Sequence, residues 1–304
     1  MIDFTNRVAI VTGAGTGLGR SHAIGLAARG AKVVVNDLGA GTDGQGADTS
    51  AAAAVVAEIT DAGGEAMAHG ADVSDAEQVA DMVAQTLARW DRIDVLINNA
   101  GILRDKTFSK MDMADFQKVI DVHLIGSAQC CHAVWPHMRA AGYGRIVLTS
   151  SASGLYGNFG QSNYGAAKAA MVGLMNVLHL EGARDDIRVN TLAPTAATRM
   201  TEELLPPEAA ALLDPATITP GVLYLASDEA PSRTILGAGA GHFAVTRIYE
   251  TEGTYLGAAT PEAVAAAWDK ITDNAAQSEL QNAFEQTRKF AKSAATAQGL
   301  PLDW

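Results

Sequence analysis

The sequence predicts an α/β fold: a doubly wound, three-layer parallel sheet with a C-terminal helical extension. Three observations carry that prediction. Short apolar runs alternate with longer helical patterns through the first two-thirds of the chain. Those runs are apolar almost throughout and do not alternate, as expected of strands covered on both faces. After about Phe243 the strand pattern stops, and two mostly polar helical stretches follow.

In chain order, Val8–Thr12, Lys32–Asn36, Ala66–Ala71, Ile93–Asn98, Arg145–Ser150 and Arg188–Ala193 read as strands. Leu18–Arg29, Ser50–Asp61 and Ala76–Arg89 are long enough for the crossover helices between them. Leu38–Thr49 is rich in Gly and Asp, which predicts a long mobile loop overhanging the site beyond the second strand. Prolines 206, 207, 215 and 220 break Leu204–Pro220 into the short pieces of a substrate lid. Gly237–Gly241 runs into Phe243-Ala244-Val245 and not into a helix, so it reads as close backbone packing of a last strand. Residues 1–245 are expected to form one domain that includes the active site. Residues 246–304 hold the predicted helices Thr260–Asp273 and Ala275–Ala297, too thin in apolar residues for a second core. They are expected to dock on that domain or on a partner subunit.

The chain has 304 residues, 48% of them hydrophobic, enough to fill a sizeable core. Its net charge of −12 and the lack of a Lys/Arg run exclude the footprint of a nucleic-acid binder. Cys130 and Cys131 are sequence neighbours, which fits a reducing compartment better than a disulfide framework. No leader pattern, membrane-length apolar run or peroxisomal ending (the chain closes Leu302-Asp303-Trp304) is evident, so a cytoplasmic protein of small-molecule ligands is expected, with no membrane partner and no metal.

Where the first strand hands over to a helix stand Gly13, Gly15, Thr16, Gly17, Leu18 and Gly19. Glycine lets the backbone turn tightly and approach a pyrophosphate, while a helix amino terminus offers N–H groups and partial positive charge. A packing turn has the same composition, but Asp37 closes the second strand 24 residues after Gly13, where a carboxylate can hold the adenosine ribose. The same carboxylate would repel a 2′-phosphate, and no Lys or Arg lies in Ala14–Thr16 or directly after Asp37, so NAD is expected over NADP. Asp37 capping a loop is the plainer alternative. Later strand ends offer Asp72-Val73 to the adenine and Asn99-Ala100-Gly101 for close backbone approach.

Tyr164 and Lys168 lie four apart in YGAAK and should share a helix face, where an ammonium would stabilise a phenolate. Such pairs are common on exposed helices. Ser151, 13 residues upstream and just past a strand end, is placed to hold a substrate oxygen beside the tyrosine.

Through TGAGTGLG, NNAG, the serine of TSSASG and YGAAK, in that order, residues 5–245 resemble the short-chain dehydrogenase/reductase family. The resemblance implies a Rossmann-like fold and a reversible NAD-linked oxidation of a secondary alcohol to a ketone. It implies that Ser151 polarises the substrate oxygen, that Tyr164 exchanges the proton, and that Lys168 binds the nicotinamide ribose. The family's Pro-Gly segment appears as Pro194-Thr195, with Thr198 placed to reach the carboxamide; the glycine is missing. His123 stands where the family usually has an Asn that supports a proton relay, and a relay role and a plain buried histidine both fit it. Segments VVVNDLG, NAGILRD, YGRIVLTSSASGLYGNFGQSNY and RMTEELLP look most like the (3R)-hydroxyacyl-CoA dehydrogenase subgroup of multifunctional enzyme type 2 and its bacterial relatives. That implies a 3-hydroxyacyl-CoA substrate; a hydroxysteroid or other non-CoA alcohol, and a non-catalytic dinucleotide sensor, are the alternatives. A homodimer or homotetramer is expected, because Ala166–Leu180 carries a second apolar stripe.

Overall fold

The computed structural model describes residues 1–46, 48–197 and 207–303. The chain divides into two compact units, Met1–Val245 and Thr246–Trp304.

In the first unit, β1 (Val8–Thr12), α1 (Gly17–Ala27), β2 (Lys32–Asn36), α2 (Ser50–Asp61), β3 (Glu65–His69) and α3 (Ala76–Trp90) alternate strictly. β4 (Val95–Asn98) follows. α4 (Met113–Ile120) then runs through a π-helical turn at Asp121–Ile125 into α5 (Gly126–Ala141). β5 (Gly144–Thr149) leads to α6 (Ala152–Tyr156) and the long α7 (Ser162–Gly182), and β6 (Ile187–Pro194) follows. Two short helices, α8 (Pro207–Leu212) and α9 (Thr219–Leu225), precede β7 (Ile235–Gly239) and β8 (His242–Thr246).

The sheet order is β3-β2-β1-β4-β5-β6-β7-β8, with β1 to β7 all parallel. The order reverses between β1 and β4, which opens a crevice beyond the strand carboxyl ends. Alternate residues of each strand feed opposite layers. Val8, Ile10, Leu96, Ile146 and Leu148 pack on one face, and Ala9, Val11, Val95, Ile97 and Val147 on the other. Burial of each large apolar side chain here contributes about 1.5–3 kcal/mol, so the sheet is a rigid floor for the site.

Ends differ from the sequence reading where side chains replace ladder bonds. β4 starts at Val95, not Ile93, because the buried Asp94 carboxylate accepts the Val8 N–H at 2.8 Å. The Gly237–Gly241 run serves two purposes. Gly239 allows close approach, since a side chain there would lie 2.9 Å from the Thr195 carbonyl. Ala240 and Gly241 take φ of 50° and 73°, the two-residue turn that folds β8 back antiparallel on β7. The described part of the 38–49 loop is tied down, not loose: Leu103 N–H donates to the Thr42 carbonyl at 2.9 Å, and Arg104 Nε to the Asp43 carbonyl at 3.0 Å.

The second unit is less helical than its polar composition predicts. α10 (Pro261–Ala266) and α11 (Trp268–Ile271) replace one expected helix, and the second starts only at α12 (Ala283–Gln298). β9 (Glu250–Thr251) and β10 (Gln277–Ser278) pair antiparallel, which takes 277–278 out of any helix. The Asn282 side chain then caps α12 by accepting the Glu285 N–H at 3.2 Å. No helix among the described residues is long and apolar enough to cross a membrane. Cys130 and Cys131 are buried free thiols on α5.

Candidate active site

β1 delivers the chain into a turn that only glycine accommodates. Gly13 and Gly17 have φ of 62° and 55°, and a side chain on Gly19 would lie 2.1 Å from the Gly13 carbonyl oxygen. Gly13 itself backs onto Ala100, where an added Cβ would meet Cα at 2.7 Å. Asn99 holds the turn against β4. Its Nδ2 donates to the Thr12 and Gly13 carbonyls at 3.1 and 3.0 Å, and Thr12 Oγ1 accepts from the Asn99 and Ala100 N–H groups. Asn99 is therefore a strut beneath the turn as well as part of the cleft wall. α1 begins at Gly17 with no acidic residue in its first turn, which leaves the positive end of its dipole facing the cleft.

Gly13, Thr16, Gly17 and Leu18 line one cleft with Asp37, Asp72, Val73, Asn99, Ala100 and Gly101. The structure thus brings together ten of the fifteen residues expected around a dinucleotide, while Tyr164 and Lys168 lie outside this lining. Gly19 lies just behind the turn, buried. Pro194 ends β6 outside that cleft lining, and Thr198 lies outside the described residues. Asp37 accepts the Gly15 N–H at Oδ2 and the Gly39 N–H at Oδ1, both at 2.7 Å, so its carboxylate is fixed against the glycine turn. A side chain on Gly15 would meet Asp37 Oδ2 at 2.8 Å. Asp72 accepts from Ser74 N and Oγ, and Lys118 Nζ stands 3.8 Å from its other oxygen. Lys118 and Ile102 also line the cleft and were not foreseen. Lys118 lies in a separate helix and carries no local motif, so nothing in its own segment could have marked it.

The second cluster sits at the carboxyl end of β5. Ser151 caps α6, its Oγ accepting the Ser153 N–H at 3.2 Å. Gly154 lets α6 press on α7, since a Cβ there would lie 2.6 Å from the Lys168 carbonyl carbon. α7 presents Tyr164 and Lys168 on one face as the four-residue spacing requires. Lys168 is buried; Nζ donates to the Thr149 carbonyl at 2.7 Å and lies 5.5 Å from the centre of the Tyr164 ring. The π-helical turn swings His123 inward, edge-on to the Tyr164 ring at 5.3 Å between centroids. Its Nε2 is 2.8 Å from the Ile102 carbonyl, and its buried Nδ1 has no partner among the described residues.

Burial governs the electrostatics of this cluster. It pushes the Tyr164 phenol above its ordinary value, against the lowering effect of a hydrogen bond with Ser151, while the Asp105 carboxylate raises it further. It pulls Lys168 down to about 7. The expectation that the ammonium would lower the tyrosine is therefore not met in the free protein, where burial raises the phenol and the opposing effect comes from Ser151. His123 is held well below its ordinary value by burial and by Lys168, so the imidazole is neutral at pH 7.

Residues 7–209 match the short chain dehydrogenase family. A protein of Mycobacterium tuberculosis named as a short-chain type dehydrogenase/reductase is 46% identical over 270 residues, 88% of this chain and 94% of that one. The full-length peroxisomal multifunctional enzyme type 2 of Drosophila melanogaster superposes with a TM-score of 0.82 at 36% identity; 97% of this chain matches 50% of that one. A 7α-hydroxysteroid dehydrogenase complexed with NADH and 7-oxo glycochenodeoxycholic acid superposes with a TM-score of 0.71 at 29% identity, over 79% of this chain and 95% of that one.

Proposed function

This chain belongs to the short-chain dehydrogenase family, and on that premise we propose that it is an NAD-dependent dehydrogenase of secondary alcohols, with a (3R)-3-hydroxyacyl-CoA as its substrate. The observation that carries the reading is the cluster of Ser151, Tyr164 and Lys168, linked through His123 to Ile102 in the wall of a glycine-cradled cleft that also holds a fixed carboxylate, Asp37. The cleft fits a nicotinamide dinucleotide: side chains at Gly13 and Gly19 would collide with backbone, and the α1 amino terminus suits a pyrophosphate.

In this reading Ser151 Oγ and the Tyr164 hydroxyl hold the substrate hydroxyl between them. Tyr164 takes its proton as the carbon–hydrogen bond breaks, and Lys168 holds the nicotinamide ribose and favours the phenolate. NAD, when held in this cleft, would supply the hydride acceptor. His123, neutral and hydrogen-bonded to Ile102, supports the Tyr164 ring and offers Nδ1 to a proton relay. Pro194 and Thr198 are proposed at the nicotinamide end. Tyr156 and Phe159, exposed just beyond Ser151, favour an apolar substrate body over a small alcohol.

The similarity to a steroid dehydrogenase supports a hydroxysteroid as the second reading. NADH formation compared on a (3R)-hydroxyacyl-CoA, its 3S epimer, a hydroxysteroid and simple secondary alcohols separates them. NADH binding without turnover on any of these would leave only a dinucleotide sensor. Exposed Val177 and Leu180 on α7 support a homodimer or homotetramer, which a monomer in light scattering at micromolar concentration would contradict. The buried thiols support the reducing cytoplasm as its compartment, which cell fractionation tests.

The cofactor preference follows from Asp37. With its carboxylate fixed against the turn, NAD should exceed NADP in kcat/KM by about 100-fold or more, a like-charge effect of several kcal/mol. Asp37→Ala should weaken NAD use and cut that ratio by about 10–100-fold. Comparable kcat/KM for the two cofactors in the unaltered protein would contradict the reading.

A further inference from the structure

The loop that leaves β2 after Asp37 is folded against the cleft as a flap. Leu38, Ala40, Gly41, Thr42 and Gly44 line that cleft. The neck of the loop is pinned where Asp48 N–H donates to the Leu38 carbonyl at 3.0 Å, and its tip closes where Gly41 N–H donates to the Gln45 carbonyl at 2.8 Å. Gly44, at φ 81°, seats the tip on Ile102, another residue of the cleft lining; an added Cβ would lie 3.1 Å from Ile102 Cγ2. A glycine-rich loop has little side-chain packing of its own, so contacts from other segments decide whether it stays closed.

Those contacts come from the segment after β4. Leu103 N–H donates to the Thr42 carbonyl at 2.9 Å. Arg104 reaches further with its guanidinium: Nε donates to the Asp43 carbonyl at 3.0 Å, and Nη1 donates to the Asp115 carboxylate on α4 at 2.6 Å. The backbone of the same segment is held to the start of α7. Asn163 Nδ2 donates to the Arg104 carbonyl at 2.9 Å, Lys106 N–H to the Gly160 carbonyl at 3.0 Å, and Gln161 Nε2 to Asp105 Oδ2 at 2.7 Å. Arg104 thus stands on a fixed base, and its side chain spans from there to the loop and to α4.

We propose that Arg104 is a positioning residue for the dinucleotide: its guanidinium, oriented by Asp115, latches the loop after β2 over the cleft, and the dinucleotide leaves when that latch opens. The proposal rests on the reading of the cleft as the NAD site. Arg104 lies outside the cleft lining, so it acts through the loop and not by touching the cofactor. A planar fork can hold the Asp43 carbonyl and the Asp115 carboxylate at once, each along a fixed direction, which the single ammonium of a lysine does less well.

Arg104→Met keeps the stem and the backbone carbonyl that Asn163 uses, and removes the guanidinium. Asp115→Asn leaves the guanidinium and removes the charge that orients it. Amide hydrogen exchange of the intact, ligand-free chain reads the loop, and stopped-flow fluorescence of NADH displaced by excess NAD reads dissociation. In R104M the amides of residues 39–46 should exchange about 10-fold faster while those of β1 and α7 keep their rates. NADH should leave about 5–20-fold faster, as expected from losing charge-assisted hydrogen bonds at a partly solvated site. D115N should move both readouts the same way by about 2–3-fold, the usual worth of a partly exposed ion pair, and Arg104→Lys should fall between R104M and the unaltered protein. Unmoved exchange at 39–46 in R104M overturns the latch. Faster exchange with an unmoved NADH dissociation rate overturns its hold on the cofactor. Should R104M not fold, equal rates in D115N and the unaltered protein overturn the proposal. Neither readout needs an alcohol, so absence of turnover with every alcohol overturns the dehydrogenase reading and leaves the latch standing. An unaltered protein that binds no NADH overturns the cofactor reading and the proposal together.

Discussion

Tyr164→Phe should lower kcat for alcohol oxidation by about 10²–10⁴-fold, the usual worth of a positioned general base. The ring should stay in place. Its edge-on contact with His123 at 5.3 Å and its seat on α7 depend on the aromatic body, which phenylalanine keeps. What is lost is the hydroxyl that hydrogen-bonds Ser151, the group assigned here to take the substrate proton. Neither His123 nor Lys168 replaces it. His123 has its Nε2 engaged by Ile102 and packs edge-on to the ring, and Lys168 Nζ is tied to the Thr149 carbonyl. NADH affinity, measured by fluorescence titration, should change little, because the glycine turn and Asp37 lie on other elements. Near-unaltered turnover in a folded Tyr164→Phe protein would remove the proposed chemistry.

Lys168→Met should separate activity from stability. Turnover should fall by about 10²–10⁴-fold with a weaker hold on NADH, since both the charge beside the phenol and the ribose contact are gone. Folding should not suffer. Burial pulls Lys168 down to about 7, so the free protein holds a partly protonated ammonium in a place that disfavours it. The unfolded chain, with a lysine near its ordinary value, binds more protons between pH ~7 and ~10.4, so this group makes stability rise with pH across that window. Below it the cost is constant, on the order of a few kcal/mol. Methionine removes that cost and loses one hydrogen bond worth about 1 kcal/mol, so Tm at pH 6 should equal or exceed that of the unaltered protein. A lower Tm together with unchanged kcat would mean that Lys168 is a structural residue.

Both predictions draw on features of unequal visibility in the sequence. The parallel sheet could be read because β1, β4 and β5 carry consecutive apolar residues (Val8–Val11, Val95–Ile97, Ile146–Leu148) without alternation, and the dinucleotide cleft because Gly13 to Gly19 and Asp37 stand at a telling spacing along the chain. Strand ends were less legible: Asp94 looks like part of a strand until its side chain is seen to take the Val8 N–H. The C-terminal ribbon is not legible in the sequence because Gln277–Ser278 finds its partner at Glu250–Thr251, far back in the chain, and the Asn282 cap starts α12 only after that pairing. The direction of the Tyr164 shift was out of reach for the same kind of reason. Spacing places an ammonium nearby, but only the packed structure shows that burial raises the phenol and lowers the lysine. Lys118 in the cleft and the Asp105–Gln161 pair are likewise products of tertiary contact, joining segments that carry no local motif.

The most direct measurement follows the hydrogen. A (3R)-3-hydroxyacyl-CoA bearing deuterium at C3, mixed with the protein and NAD, should give the 3-oxoacyl-CoA and NADH carrying that deuterium at C4 of the nicotinamide. The hydroxyl proton should pass through Tyr164 to solvent, so the label should be retained in unaltered protein and its transfer slowed in Tyr164→Phe. NADH that forms without the label, or no NADH from this substrate while another alcohol is oxidised, would contradict the assignment.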